Sequence, residues 1–341
     1  MNKIVLFGEI MLRLKSPGKE RLFQTSNIEA VFGGSEANVA VSLGILGENA
    51  VYVTALPDSA VGKAASSFLK SHDVDVQAIY TKGRLGIYYL EQGACQRPSK
   101  VIYDRDYSCL SLSKPQDYEW EKIFEGARWF HVSGVTPAVS ADACDCVFEA
   151  MKQAKSAGAT VSLDLNFRKK LWNYGKAAPE VMRELAMLSD VLIANEEDIQ
   201  NCLGIQLKNL ATPSLGYKTL CEDVKAAFPN AKVVAVTLRH SYSADRNGWS
   251  CVLSGLTGFY ESASYDIENI VERVGAGDSF SAGLIYALCN FEQDKKGEQK
   301  SLDFACAASC LKHSIPGDFN LATKDEILAL MNGNSNGRIV R

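Results

Sequence analysis

Apolar residues along this chain gather in short runs, many of them followed by a longer stretch with helical spacing. Lys3 to Phe7 is such a run. It stops at Gly8 and reads as a buried parallel strand. Residues 36–46 carry Ala, Val and Leu on most faces, with Gly47 as the stop behind a helix. A strand over 51–56 and a helix over 59–71 follow. From about residue 110 the alternation is regular, with strands at 128–132, 160–165, 190–194 and 232–237 and helices at 140–157, 179–189, 195–203 and 218–228. That order predicts a parallel sheet covered on both faces. A hairpin at 249–254 and 257–260 leads to helices at 278–289 and 299–313, and the Gly, Asn and Ser tail from Asn332 is expected to fray.

Two stretches fit this alternation poorly. In residues 11–32, strand-like pieces at 11–14 and 21–23 lie among Pro and Gly. In residues 85–109, segments 86–91 and 100–104 look like an antiparallel pair around a polar loop. Together they predict a small β-sheet lying as a lid over the core. The core then comprises residues 1–10, 33–84 and 110–341, and the lid 11–32 and 85–109.

Length and composition narrow the class. The 341 residues suffice for a large buried core, and 47% hydrophobic content suits a globular protein. The 36 basic and 40 acidic residues are mixed along the chain for a net charge of −4, so no basic block points to nucleic acid or a membrane surface. The first apolar run is too short for a signal peptide, and nothing approaches the roughly 20 apolar residues of a membrane-spanning helix. Ten scattered cysteines include no CxxC pair and only four histidines accompany them, which argues against zinc and for reduced thiols of a cytoplasmic protein.

The chemistry concentrates at Glu272-Arg273-Val274-Gly275-Ala276-Gly277-Asp278-Ser279, which opens the apolar run Phe280 to Leu288. If the run is a helix, the N–H groups of Gly275, Ala276 and Gly277 point at one spot at the positive end of its dipole. This is an anion hole. A carboxylate there, Asp278, serves best by taking a proton from an incoming hydroxyl; the alternative is a plain N-cap. Three other stretches stand near strand ends, where α/β sheets bind ligands. Gly33-Gly34-Ser35-Glu36-Ala37-Asn38 offers a close backbone approach at Gly34 and a donor–acceptor amide at Asn38, or else a turn and a helix start. Asp164-Leu165-Asn166-Phe167-Arg168 ends a strand. Asn195-Glu196-Glu197-Asp198 marks a strand-to-helix junction, where Asn195 could simply cap.

Taken together, these motifs resemble the pfkB, or ribokinase-like, family of carbohydrate kinases, over nearly the whole chain. The glycine-rich motif at 33–38 and the Gly275-Ala276-Gly277-Asp278 motif, about 240 residues apart, carry the resemblance. Within the family the chain looks most like kinases of 2-keto-3-deoxygluconate, through Gly8-Glu9-Ile10-Met11, Tyr89, Tyr103 with Arg105, 164–168 and 273–278. The resemblance implies a ribokinase-like three-layer α/β/α core with a mostly parallel sheet and a β-sheet lid. It implies Asp278 as catalytic base with Gly275, Ala276 and Gly277 as anion hole. It further implies ATP near Asn166, Asn195, Thr237, Arg239, Gly275 and Gly277, and Mg2+ without a direct protein ligand, Asp198 and Glu272 reaching it through water.

An acidic sugar has its own physical case. A guanidinium matches a carboxylate with two parallel N–H bonds, and Arg105 and Arg168 are the candidates, beside Gly34, Asn38, Tyr89, Tyr103 and Asp278 as sugar contacts. Arg105 could instead pair with the flanking Asp104 and Asp106, Arg168 could belong to a solvated basic run, and the tyrosines could be packing. The chain departs from the family in places. Its earliest aspartate is Asp58, where ribose kinases have one soon after the first strand. Glu272 stands where Asp is usual and Asp198 where Glu is usual, and the expected nucleotide loop at 237–241 has no glycine before Gly248. The expected function is ATP-dependent phosphorylation of the primary hydroxyl of a sugar acid. The alternatives are a kinase of a neutral sugar such as fructose, or of a nucleoside, and a non-catalytic sugar sensor. A dinucleotide oxidoreductase lacks its glycine fingerprint after the first strand. Exposed lid edges predict a homo-oligomer.

Overall fold

The computed structural model describes residues 2–333, so from residue 334 on the tail expected to fray lies outside the described residues. The chain begins with β1 (Lys3–Phe7), β2 (Met11–Lys15), β3 (Glu29–Gly33), α1 (Ser35–Ile45), β4 (Ala50–Pro57), α2 (Ala60–Lys70), β5 (Val74–Thr81), β6 (Ile87–Glu91) and β7 (Lys100–Asp104). Short helices α3 (Cys109–Leu112) and α4 (Trp120–Phe124) lead to β8 (Ala127–Ser133), α5 (Ala141–Ser156), β9 (Thr160–Asp164), α6 (Ala178–Leu188), β10 (Val191–Asn195), α7 (Glu196–Asp198) and α8 (Pro213–Ala227). The last part holds β11 (Val233–Ser243), β12 (Arg246–Ser254), β13 (Phe259–Glu261), β14 (Tyr265–Ile267), α9 (Ala276–Asn290), α10 (Lys295–Lys312) and α11 (Lys324–Met331).

The large sheet runs β13-β12-β11-β10-β9-β8-β1-β4-β5, with β14 paired to β12. From β5 to β11 its pairs are parallel; β12 is antiparallel to both neighbours. Successive residues serve opposite faces. Ile4 and Leu6 pack with α1, α9 and α10, whereas Val5 and Phe7 pack with α5, α6 and α8. Both faces are covered, which is why these strands read as unbroken apolar runs. A separate four-stranded sheet runs β3-β2-β6-β7, with β2 and β6 parallel. No helix of the described residues is long and apolar enough to cross a membrane, and all ten cysteines are unpaired.

Several boundaries differ from the pattern-based reading. Residues 21–23 form turns rather than a strand. Phe23 has φ +62° and is exposed, and the strand that pairs with β2 is β3. The helix expected over 195–203 is one α turn followed by a π turn over Ile199–Leu203. Residues 237–241 are not a loop. They continue β11 out to Ser243, held by antiparallel pairing with β12. Strand β5 was hidden by its alternation: one side, with Asp75 and Gln77, is polar, as suits the edge of a sheet.

Candidate active site

Gly34 joins β3 to α1 by running against β1's exit. A Cβ there would lie 2.1 Å from the Glu9 carbonyl oxygen, so no larger residue fits. The tight turn sets Ser35 and Asn38, in the first turn of α1, against the start of α9. The Ser35 hydroxyl donates to Asp278 Oδ1 at 2.8 Å and the Asn38 amide donates to Oδ2 at 2.7 Å. Asn166, held at φ +35° just past β9, donates to the Ser35 hydroxyl at 3.0 Å. Both oxygens of Asp278 are thereby oriented.

Asp278 itself lies in the first turn of α9, behind Gly275 at the cap with φ +85°. A Cβ on Gly275 would lie 2.0 Å from the Asp318 carbonyl oxygen, while one on Gly277 would meet nothing within 4 Å. The N–H groups of Gly275, Gly277 and Asp278 have no partner among the described residues, but that of Ala276 reaches the Arg273 carbonyl at 3.4 Å. The expected trio of donors is thus altered at its middle member. The open donors and the helix dipole still favour an anion here.

Burial pushes the Asp278 carboxyl up to about 6, with the Asn38 and Ser35 hydrogen bonds opposing it. Nearby Asp164 is pushed up to about 8, by burial first and then by the negative charges of Asp278 and Asp198. Asp198 is raised to about 6, chiefly by burial. All three carboxyls line one cavity.

Asp278 stands where two cavities meet. One, of about 270 Å3, holds the anion loop together with Asp164, Asn195, Asp198, Thr237 and Arg239. The other, of about 170 Å3, opens under the small sheet and is lined by Gly34, Asn38, Tyr88, Tyr103 and Arg105 among others. Asn166, Arg168, Gly275 and Asp278 line both. Arg168 is exposed. Arg105 is 4% exposed and is not paired with its sequence neighbours. Its Nε donates to Glu9 Oε2 at 2.7 Å, its Nη2 pairs with the same oxygen, and its buried Nη1 has no partner among the described residues.

Two expected site residues are displaced. Tyr89 does not line the sugar-side cavity. Tyr88 does, paired across the strands with Tyr103, because neighbours along a strand point to opposite faces; Tyr89 meets Phe23 instead. Glu272 lines neither cavity. It is buried, one oxygen bound by Arg13 and the other by the N–H groups of Arg273 and Val274. Among the described residues no three His, Cys, Asp or Glu side chains gather as a metal site. Motif reading passed over Ser35 as a site residue, although it stands inside the quoted glycine motif. It also missed Asn247, Trp249 and His313 on the anion-side cavity, which come from a hairpin and a helix end without any sequence signature, and Arg273, which stands inside the 272–279 motif.

Comparison with known proteins gives the same picture from outside. Residues 1–321 match a family profile described as pfkB family carbohydrate kinase. A 2-dehydro-3-deoxygalactonokinase of Haloferax volcanii is 31% identical over 336 residues, 98% of either chain. A probable fructokinase-2 of Arabidopsis thaliana is 27% identical over 96% of this chain and 95% of its own. Among solved structures, a 2-dehydro-3-deoxygluconokinase from Thermotoga maritima superposes with a TM-score of 0.91 at 45% identity, over 98% of this chain and 100% of that one.

Proposed function

This chain belongs to the pfkB family of carbohydrate kinases, and we propose that its acceptor is a 2-keto-3-deoxy sugar acid, first of all 2-keto-3-deoxygluconate, phosphorylated by ATP on its primary hydroxyl. One observation carries the reading. A buried carboxyl, Asp278, stands between an anion loop on one side and an arginine- and tyrosine-lined cavity on the other. A phosphoryl donor and an alcohol acceptor brought to those cavities meet at Asp278.

Asp278, oriented by Ser35 and Asn38, takes the proton of the primary hydroxyl as the oxygen attacks in line. The free N–H groups of Gly275 and Gly277 hold the charge that spreads over the phosphoryl oxygens. Asn166, Asn195, Thr237 and Arg239 flank the nucleotide, and Gly34 and Tyr103 close on the sugar. Asp198 and Asp164 would hold Mg2+ arriving with the nucleotide, and the ion would neutralise charge on the phosphates. At the acid end, the free Nη1 of Arg105 and the guanidinium of Arg168 receive the carboxylate, a pairing a neutral sugar would not need. The relatives' names, one of them a fructokinase, leave fructose as the second acceptor to test.

A coupled ADP-release assay over a panel of sugars and sugar acids tests the reading. Turnover should be highest with a 2-keto-3-deoxy acid, and a preference for fructose or a nucleoside would overturn it. Arg168→Leu should raise the KM for the keto acid far more than that for a neutral sugar; equal effects would remove the carboxylate argument. We also propose a cytoplasmic protein, which ten unpaired thiols suit. Lastly, two copies would associate through the small sheet. Its outer face presents Leu14, Tyr89 and Ile102, and Phe23 stands beside it 71% exposed.

A further inference from the structure

Arg13 lies on β2 in the small sheet and is 1% exposed. Its guanidinium forks between two acids of the core, Nη2 donating to Glu272 and Nη1 to Asp318. Tyr88, on the adjoining β6, donates its hydroxyl to the other oxygen of Asp318. Both acids in turn hold the anion loop. The free oxygen of Glu272 accepts the N–H groups of Arg273 at 3.0 Å and Val274 at 3.2 Å, the two residues that lead into Gly275. The main-chain carbonyl of Asp318 fills the place where a Gly275 side chain would stand. Lys312, also fully buried, closes the same wall, with its Cε 3.2 Å from that point and its Nζ donating to the Ile315 carbonyl at 2.9 Å.

Two carboxylates buried this deeply are tolerable only with a matching charge and filled hydrogen bonds. A large part of that charge comes from the small sheet. We propose that Arg13 is a positioning residue for phosphoryl transfer, which sets the anion loop through Glu272 and Asp318 when the small sheet is seated on the core. Arg13 touches neither cavity; it acts through main-chain geometry. With Arg13 withdrawn, the two acids behind Gly275 keep Lys312 as a nearby cation but lose the guanidinium that binds both, so they draw solvent or protons and the loop N–H groups lose their fixed direction. The terminal phosphate of a nucleotide is then held firmly only under a seated sheet, and loss of phosphate to water is discouraged. This inference rests on the kinase reading for the identity of the anion.

The test compares nucleotide tails and needs no sugar, so it stands apart from the acceptor panel. A wild type that phosphorylates nothing on the panel would fail the kinase reading alone. Calorimetry measures a non-hydrolysable ATP analogue and ADP, each with Mg2+, on wild type, Arg13→Lys and Arg13→Met. Arg13→Lys keeps a charge but loses the fork. It should lose about 10- to 100-fold in affinity for the triphosphate, as befits broken charge-assisted bonds, and far less for ADP; Arg13→Met should lose more. On the best acceptor, turnover should fall with the triphosphate affinity. If Arg13→Lys melts below the assay temperature, Tyr88→Phe carries the same comparison, since it removes only the hydroxyl on Asp318. Equal weakening of both nucleotides, or no change in either, overturns the proposal.

Discussion

Burial lifts the Asp278 carboxyl to about 6, and Ser35 and Asn38 pull it only part of the way back. An ordinary aspartate, which releases its proton at 3.8, would be a weaker base. Nothing in the sequence reports depth, so the motif by itself leaves the residue at that ordinary value. On the proposed role, kcat/KM should rise with pH and level off above about 6. Stability should move the other way. The folded chain keeps this proton up to about 6 and the unfolded chain gives it up at 3.8, so ionising Asp278 costs stability as pH climbs through that window. Asp278→Asn should therefore lower turnover by about 10²–10⁴-fold without lowering the melting temperature. A normal turnover would refute the base assignment. Asp278 and the glycines were legible because they are contiguous. The pairs Glu9–Arg105 and Arg13–Asp318 were not, since their members lie 96 and 305 residues apart and only burial makes them partners.

At the scale of elements, the start of α9 is the most demanding piece. Gly275 combines a left-handed backbone with contact against the Asp318 carbonyl. Gly275→Ala should destabilise the protein by about 1–3 kcal/mol and reduce turnover even where the chain stays folded; denaturant unfolding and the ADP assay measure the two effects. Helix and strand types followed well from periodicity, because covered strands and amphipathic helices have different repeats. Register did not. A slip of one residue along β6 exchanges Tyr89 for Tyr88 at the sugar-side cavity. The outer reach of β11 reads as a loop in the sequence, because its polar end, Arg239 to Ser243, is held by pairing with β12 rather than by burial of its side chains.

For the whole molecule, the small sheet is both a roof and a surface. Its inner side carries Arg13, Tyr88 and Tyr103 toward the core. Its outer side presents apolar residues to solvent. Light scattering at assay concentration should give at least twice the mass of one chain, and a monomeric mass would contradict the proposed association. The sequence alone determined the layered α/β architecture, the separate small sheet and the anion loop with its acid. Each of these follows from repeats and motifs within a few residues of one another. Tertiary structure decided which charges stand behind that loop, which tyrosine faces the sugar side and how basic Asp278 becomes. Those depend on burial and on neighbours hundreds of residues away, and the free energy of a buried charge is set by what surrounds it in space.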